Sequence, residues 1–160
     1  MRGLLGQQAL ALWTAKLNLK PAGCGSGFGW HQDSPYWIHD CDHVDLLPNV
    51  MLTLDPFTRS NGALEVVPGS QIQGRLPGCE DNRQLAGFYT APTAFDESAA
   101  QALVVPPGSC IFFSPHIVHG SAPNRSPQQR RAVILTYQPG GYPALKSGQL
   151  RAVGGGPALV

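Results

Sequence analysis

Trp30-His31-Gln32-Asp33, with Tyr36-Trp37-Ile38 just beyond it, is the stretch from which the fold is read. Aromatic and branched residues favour a pleated strand, and on a strand residues two apart share a face. His31 and Asp33 are therefore expected to aim an imidazole and a carboxylate at one point, while Gln32 turns the other way or bends toward a ligand. A mixed nitrogen and oxygen pair suits a divalent metal. One more distant His would complete a two-His-one-carboxylate facial triad, which leaves positions on iron(II) open. His-x-Asp also arises by chance, so the remainder of the chain has to carry the case.

Composition sets the frame. With 160 residues, 42% of them hydrophobic and 13% charged, the chain is sized for one domain with a real core. A formal net charge of +1 argues against nucleic acid or a membrane surface as the main partner. The 19 glycines and 15 prolines fall between short apolar runs, the punctuation of an all-β sandwich or barrel. Cys24, Cys41, Cys79 and Cys110 form no C-x-x-C pair and read as reduced thiols, so a cytoplasmic protein is expected. Gln7 and Gln8 interrupt the only apolar run near the start, against a signal peptide or a membrane span there. Asn124-Arg125-Ser126 matches a glycosylation sequon and is read as a polar turn.

Taken in order, strands are expected over residues 12–20, around His31, and over 49–54, 63–67, 103–105, 110–113, 116–119 and 132–137. Asn61-Gly62 tolerates positive φ at both positions and predicts a hairpin between the strands on either side. From Ser70 to about Ala102 glycines and prolines break every period, and the segment is read as a loop with a short helix over the open end of a barrel. His39-Asp40-Cys41-Asp42-His43 carries His-x-x-x-His with interleaved carboxylates, which on a helix could hold zinc. No helical period continues before Pro48, so structural or surface roles are expected. Residues 1–150 are read as a single domain and 151–160 as a disordered tail.

Seven or so short strands with turns between them predict two facing sheets, a double-stranded β-helix of the jelly-roll, cupin-like kind with short helices. Such a barrel can bring His31, Asp33 and a late His, either His116 or His119, to one mouth. Arg130-Arg131 opens the final strand, and alternation sends only one of the two inward. A guanidinium there can hold the distal carboxylate of a diacid through two parallel hydrogen bonds. A facial triad with a remote Arg is what a 2-oxoglutarate site requires.

Several blocks together resemble a known family. They are Trp30-His31-Gln32-Asp33, the run from Asn61 to Ser70, Pro107-Gly108-Ser109-Cys110, and the run from His119 to Pro127 with Arg130-Arg131. In order and spacing, from about Leu12 to Tyr137, they look like the phytanoyl-CoA dioxygenase family, which includes ectoine hydroxylase. The resemblance implies His31, Asp33 and His119 as iron ligands, with Arg130 as the partner of the 2-oxoglutarate distal carboxylate. It further implies Ser121 and Asn18 as hydrogen-bonding partners of the cosubstrate, Gln32 as a residue that reaches it, and Trp37 in the substrate pocket. The chain departs from the family in reading Gln71 where Pro-Gly-Ser-His is common, and in lacking a longer region before the segment matching Leu12, so the domain is expected to be N-terminally short.

The implied activity is an Fe(II)- and 2-oxoglutarate-dependent dioxygenase. It would use O2 to hydroxylate a C–H bond of a small metabolite or an acyl-CoA-type substrate, with release of succinate and CO2. Halogenating relatives have a small residue at the position of Asp33, so a carboxylate there implies hydroxylation. Alternatives from other classes are a non-catalytic or degenerate metal-binding jelly roll and a cupin-like zinc hydrolase. Substrate identity and oligomeric state are not legible in the sequence.

Overall fold

β1 (Leu10–Lys20) is the longest strand and lies at a sheet edge. The structure, a computed structural model, describes residues 1–6, 9–23, 27–79 and 88–145. The expected tail at 151–160 and Cys24 lie outside the described residues. A short helix, α1 (Arg2–Leu5), precedes β1 and ends on Gly6 in the left-handed conformation.

The remaining strands are β2 (Phe28–His31), β3 (Asn49–Thr53), β4 (Glu65–Val66), β5 (Gly78–Cys79), β6 (Tyr89–Thr90), β7 (Gln101–Ala102), β8 (Cys110–Phe113), β9 (His119–Ser121) and β10 (Arg130–Pro139). They form a four-stranded sheet in the order β1-β10-β3-β8 and a six-stranded sheet in the order β5-β6-β2-β9-β4-β7. Every strand pair is antiparallel. This is the expected all-β double-stranded β-helix, with only short helical pieces. Its core, built from Met51, Phe57, Ala63, Leu64, Val66, Phe113 and Ala132, lies between the sheets, and a second cluster of Trp13, Trp37 and Leu47 closes one end.

Three expectations are corrected. Asn61-Gly62 does not close a hairpin, because β3 and β4 belong to different sheets. Arg59–Asn61 is instead a 3-10 turn capped by Thr58, and Gly62 leaves it at φ 74°, so the dipeptide carries the chain from one sheet to the other. The segment from Ser70 to Ala102 is not a structureless cover. Its described parts supply β5, β6 and β7, half of the larger sheet, in pieces of two residues that are too short to show a period. The strand expected over 116–119 is shifted, since Pro115 holds the backbone in a turn until β9 starts at His119.

The register of β1 with β10 slips between Leu12 and Thr14, a bulge at Trp13. Beyond it, Thr14 bonds to Thr136 at 3.0 Å and Lys20 reaches the Ala122 carbonyl at 2.7 Å, so the even-numbered residues face the interior. Lys16 and Asn18 share that face by alternation, whereas Leu17 and Leu19 remain 61% and 55% exposed. The usual pattern of apolar inside and polar outside is inverted along this strand.

Candidate active site

His31 ends β2, and His119 opens β9 directly opposite it in the ladder. Pairing across two neighbouring strands sets the imidazole centroids 4.1 Å apart. Each Nδ1 lies against the backbone carbonyl two residues earlier, Gly29 at 2.8 Å and Ile117 at 2.9 Å. A carbonyl only accepts, so Nδ1 carries the proton and Nε2 is left with a free lone pair. Both Nε2 atoms face Asp33, at 3.9 Å from Oδ1 for His31 and 3.8 Å from Oδ2 for His119.

Asp33 reaches this point by a different route from the one its spacing suggests. β2 stops at His31, and Asp33 adopts helical angles (φ −80°, ψ −27°) at the head of a 3-10 turn, Ser34–Tyr36. The amides of Asp33 and Ser34 both donate to the Pro115 carbonyl at 2.9 Å. The turn, fixed by Pro35, replaces the strand expected from Tyr36-Trp37-Ile38, and places the carboxylate between the rings. Asn49 Nδ2 holds Oδ2 of Asp33 at 2.7 Å, while Asn49 Oδ1 accepts from Thr136 at 2.6 Å. Neither spacing nor composition marks Asn49 in the sequence.

The three donors lie within 4.8 Å of one another. Two imidazole nitrogens and one carboxylate, each oriented by an outer hydrogen bond, make a donor set that fits iron(II) with positions to spare. Burial, then the neighbouring His119, pushes the His31 pKa down to about 4, so the ring is neutral and able to ligate at ordinary pH.

These donors line a cavity of about 420 Å³ between the sheets. Asn18, Trp37, Ser121 and Arg130 also line it, so the structure gathers every expected site residue except one. Arg130 is 2% exposed. It donates to the Gly62 carbonyl at 2.9 Å, lies 4.5 Å over the Phe57 ring and leaves Nε buried with no partner among the described residues. Burial lowers its pKa to about 10, and burial together with Arg130 lowers that of Lys20 to about 8. Arg131 points outward onto Asp55 at 2.9 Å, which settles the alternation in favour of Arg130 as the inner cation. Asn18 Oδ1 and the Tyr36 hydroxyl are likewise buried without a partner, which leaves polar atoms ready for a ligand.

The exception is Gln32. Its Oε1 accepts from the Leu76 amide at 2.8 Å and its Nε2 donates to the carbonyls of Gly74 and His116. All its capacity is spent on backbone on the far side of β2, so it does not reach the cavity. His116 pairs with Asp45 at 2.6 Å, outside the site. His43 is buried against Gln138 and stacked on Tyr142, while His39 is exposed, so that pair does not converge on a metal.

Two imidazoles, a carboxylate and a buried guanidinium thus surround one cavity of a jelly roll. The pattern of the family described as phytanoyl-CoA dioxygenase matches residues 1–132, and the chain belongs to that family. It is 34% identical over 139 residues to the L-proline trans-4-hydroxylase of Streptomyces griseoviridis, covering 76% of this chain and 52% of that one. Among solved structures it is similar to the apo form of the non-heme monooxygenase ThoJ, with TM-score 0.74 and 27% identity over 90% of this chain and 54% of that one. It is also similar to EctD from S. alaskensis with 2-oxoglutarate and 5-hydroxyectoine, with TM-score 0.66 and 27% identity over 94% of this chain and 49% of that one. The chain spans about half the length of the relatives it matches.

Proposed function

We propose that this chain carries the active site of an Fe(II)- and 2-oxoglutarate-dependent dioxygenase that hydroxylates a C–H bond of a small molecule, releasing succinate and CO2. The observation that carries this reading is the convergence of His31, Asp33 and His119 on one cavity that also contains the unpaired buried Arg130. His31, Asp33 and His119 hold the metal. Arg130 takes the distal carboxylate of 2-oxoglutarate, since a buried cation with no carboxylate against it among the described residues is costly and an anion offsets it. Ser121 and Asn18 hydrogen-bond the cosubstrate from β9 and β1, and Trp37 shapes the substrate side. Bound iron(II) supplies the oxygen-activating chemistry, and the protein's share is to position the partners and exclude water.

A cavity of about 420 Å³ suits a small metabolite or the reacting end of an acyl chain. L-proline trans-4-hydroxylase and EctD with 5-hydroxyectoine, by their names, act on or bind small molecules. The described part of the segment from Ser70 to Ala102 carries one basic residue, Arg75, which is little to hold the phosphates of a CoA. We take residues 1–150 as one domain. No described helix is long and apolar enough to cross a membrane. Cys41, Cys79 and Cys110 are free, which supports a cytoplasmic setting.

The test is an anaerobic titration with iron(II) and 2-oxoglutarate, reading the visible charge-transfer band, for wild type and Arg130→Ala. Wild type should develop the band and the variant should need at least tenfold more cosubstrate. Equal affinity in the two would remove Arg130 from the site. Binding without succinate formation under oxygen would favour a non-catalytic metal-binding barrel.

A further inference from the structure

We propose that Lys16 is the anchor for an oxyanion on the primary substrate, so that the substrates of this site are small carboxylates or phospho-oxyanions and not neutral or cationic molecules. The proposal rests on the oxygenase reading above and deepens it.

Thr14, Lys16, Asn18 and Lys20 form a polar ladder on the inner face of β1, opposite Thr136, Ile134, Ala132 and Arg130. An edge strand normally turns its apolar side inward, so this polar face marks a cavity built for a polar occupant, with Asn18 half-buried and Lys16 exposed at its mouth. Thr14 and Lys20 already have protein partners. Asn18 and Lys16 both line the cavity. Lys16 has no hydrogen-bond or ion-pair partner among the described residues.

Distance separates Lys16 from the cosubstrate anchor. Lys16 lies four residues along β1 from the rung that Lys20 shares with Arg130, about 13 Å at the rise of an extended strand. One diacid carboxylate cannot serve both ends. Charge points the same way. Asp33 is the single carboxylate among the described lining residues. With iron(II) balanced by dianionic 2-oxoglutarate, and Asp33 balanced by Arg130, the positive charge of Lys16 is left over among the described lining residues. A substrate anion pairs with it, whereas a cationic substrate would be repelled. Tyr36 and Trp37, together with Met51, Leu64 and Phe113, provide apolar walls for a short carbon skeleton.

The test uses the full chain loaded with zinc(II), as an inert stand-in for iron, and 2-oxoglutarate. Butyrate, butyramide and butylammonium are compared by ligand-observed NMR, in wild type, Lys16→Gln and Lys16→Arg. Wild type should bind butyrate at least tenfold more tightly than butyramide and should not bind butylammonium. Lys16→Gln should erase that preference, and Lys16→Arg should retain it, with 2-oxoglutarate affinity within twofold of wild type in both. Equal binding of butyrate and butyramide by wild type, or an unchanged preference in Lys16→Gln, overturns the proposal and leaves the oxygenase reading intact. A tenfold loss of 2-oxoglutarate affinity in Lys16→Gln also overturns it, by assigning Lys16 to the cosubstrate. Failure of wild type to bind zinc(II) or 2-oxoglutarate removes the oxygenase reading, and this proposal with it.

Discussion

The side-chain amide of Asn49 donates to Oδ2 of Asp33 at 2.7 Å, and no other side chain among the described residues hydrogen-bonds that carboxylate. Asn49 is itself fixed by Thr136, which accepts from Thr14, so a line of polar groups runs from the edge strand to the proposed metal. Removing such an outer partner typically weakens metal binding by about 10–100-fold. Asn49→Ala is therefore expected to weaken iron(II) binding within that range, measured by anaerobic calorimetry. Because Asn49→Ala also strips Thr136 of its acceptor, a stability loss of about 1–3 kcal/mol should accompany it. Unchanged metal affinity would show that Asp33 is oriented by its backbone alone.

The His31 imidazole offers a pH test. Burial depresses its pKa to about 4 from an ordinary value of 6.5. Between those values the unfolded chain binds more protons at this residue than the folded one, so the contribution of His31 to stability rises with pH across that window and is constant above it. In the metal-free protein, NMR titration should find the His31 ring still neutral at pH 6. Calorimetry in buffers of different ionisation enthalpy should then detect no proton release from His31 on metal binding at that pH. Titration near the ordinary value would mean that the ring is solvated.

How far the sequence could be read depended on which force fixed each feature. The strands β1, β3 and β10 carry runs of 5 to 11 residues free of glycine and bounded by turn residues, and were visible. So were His31, Asp33, His119 and Arg130, because the resemblance tied their spacing together. Asp33 was placed correctly for a wrong reason, since the carboxylate is set by backbone bonds to Pro115, a contact across 82 positions of chain that no local pattern encodes. β5, β6 and β7 have two residues each and exist only through their neighbours. Asn49 and Lys16 look like ordinary strand polar residues, and only the opposing sheet shows which way they point.

Gly62 ties the crossover between sheets to the guanidinium. It adopts φ +74°, and a Cβ there would lie 2.2 Å from the Ala122 carbonyl oxygen, while its own carbonyl accepts from Arg130. Left-handed backbone costs a residue other than glycine about 1–2 kcal/mol before any clash. Gly62→Ala should lose at least about 2 kcal/mol, which for a chain of this size lowers Tm by roughly 4–8 °C. It should also weaken 2-oxoglutarate binding through displacement of Arg130. Calorimetric melting together with the cosubstrate titration measures both. A full-strength cosubstrate site in the variant would show that Gly62 does not position the guanidinium.

Gln32 supplies the opposite case, a residue beside two proposed ligands that should matter for folding and not for binding. Its amide is saturated by Leu76, Gly74 and His116, so it staples the segment after β4 and the turn before β9 onto the back of β2. Gln32→Leu keeps the volume but leaves a backbone N–H and two carbonyls without partners. An unsatisfied buried group costs about 1–3 kcal/mol, and relaxation toward water recovers part of that where the segment can open. A loss of roughly 2–4 kcal/mol in chemical denaturation is expected on that basis. At a temperature where the variant remains folded, its affinity for 2-oxoglutarate should stay within twofold of wild type. If affinity instead falls tenfold while the melting curve stays put, the amide reaches the cavity and its assignment to the back of β2 is wrong.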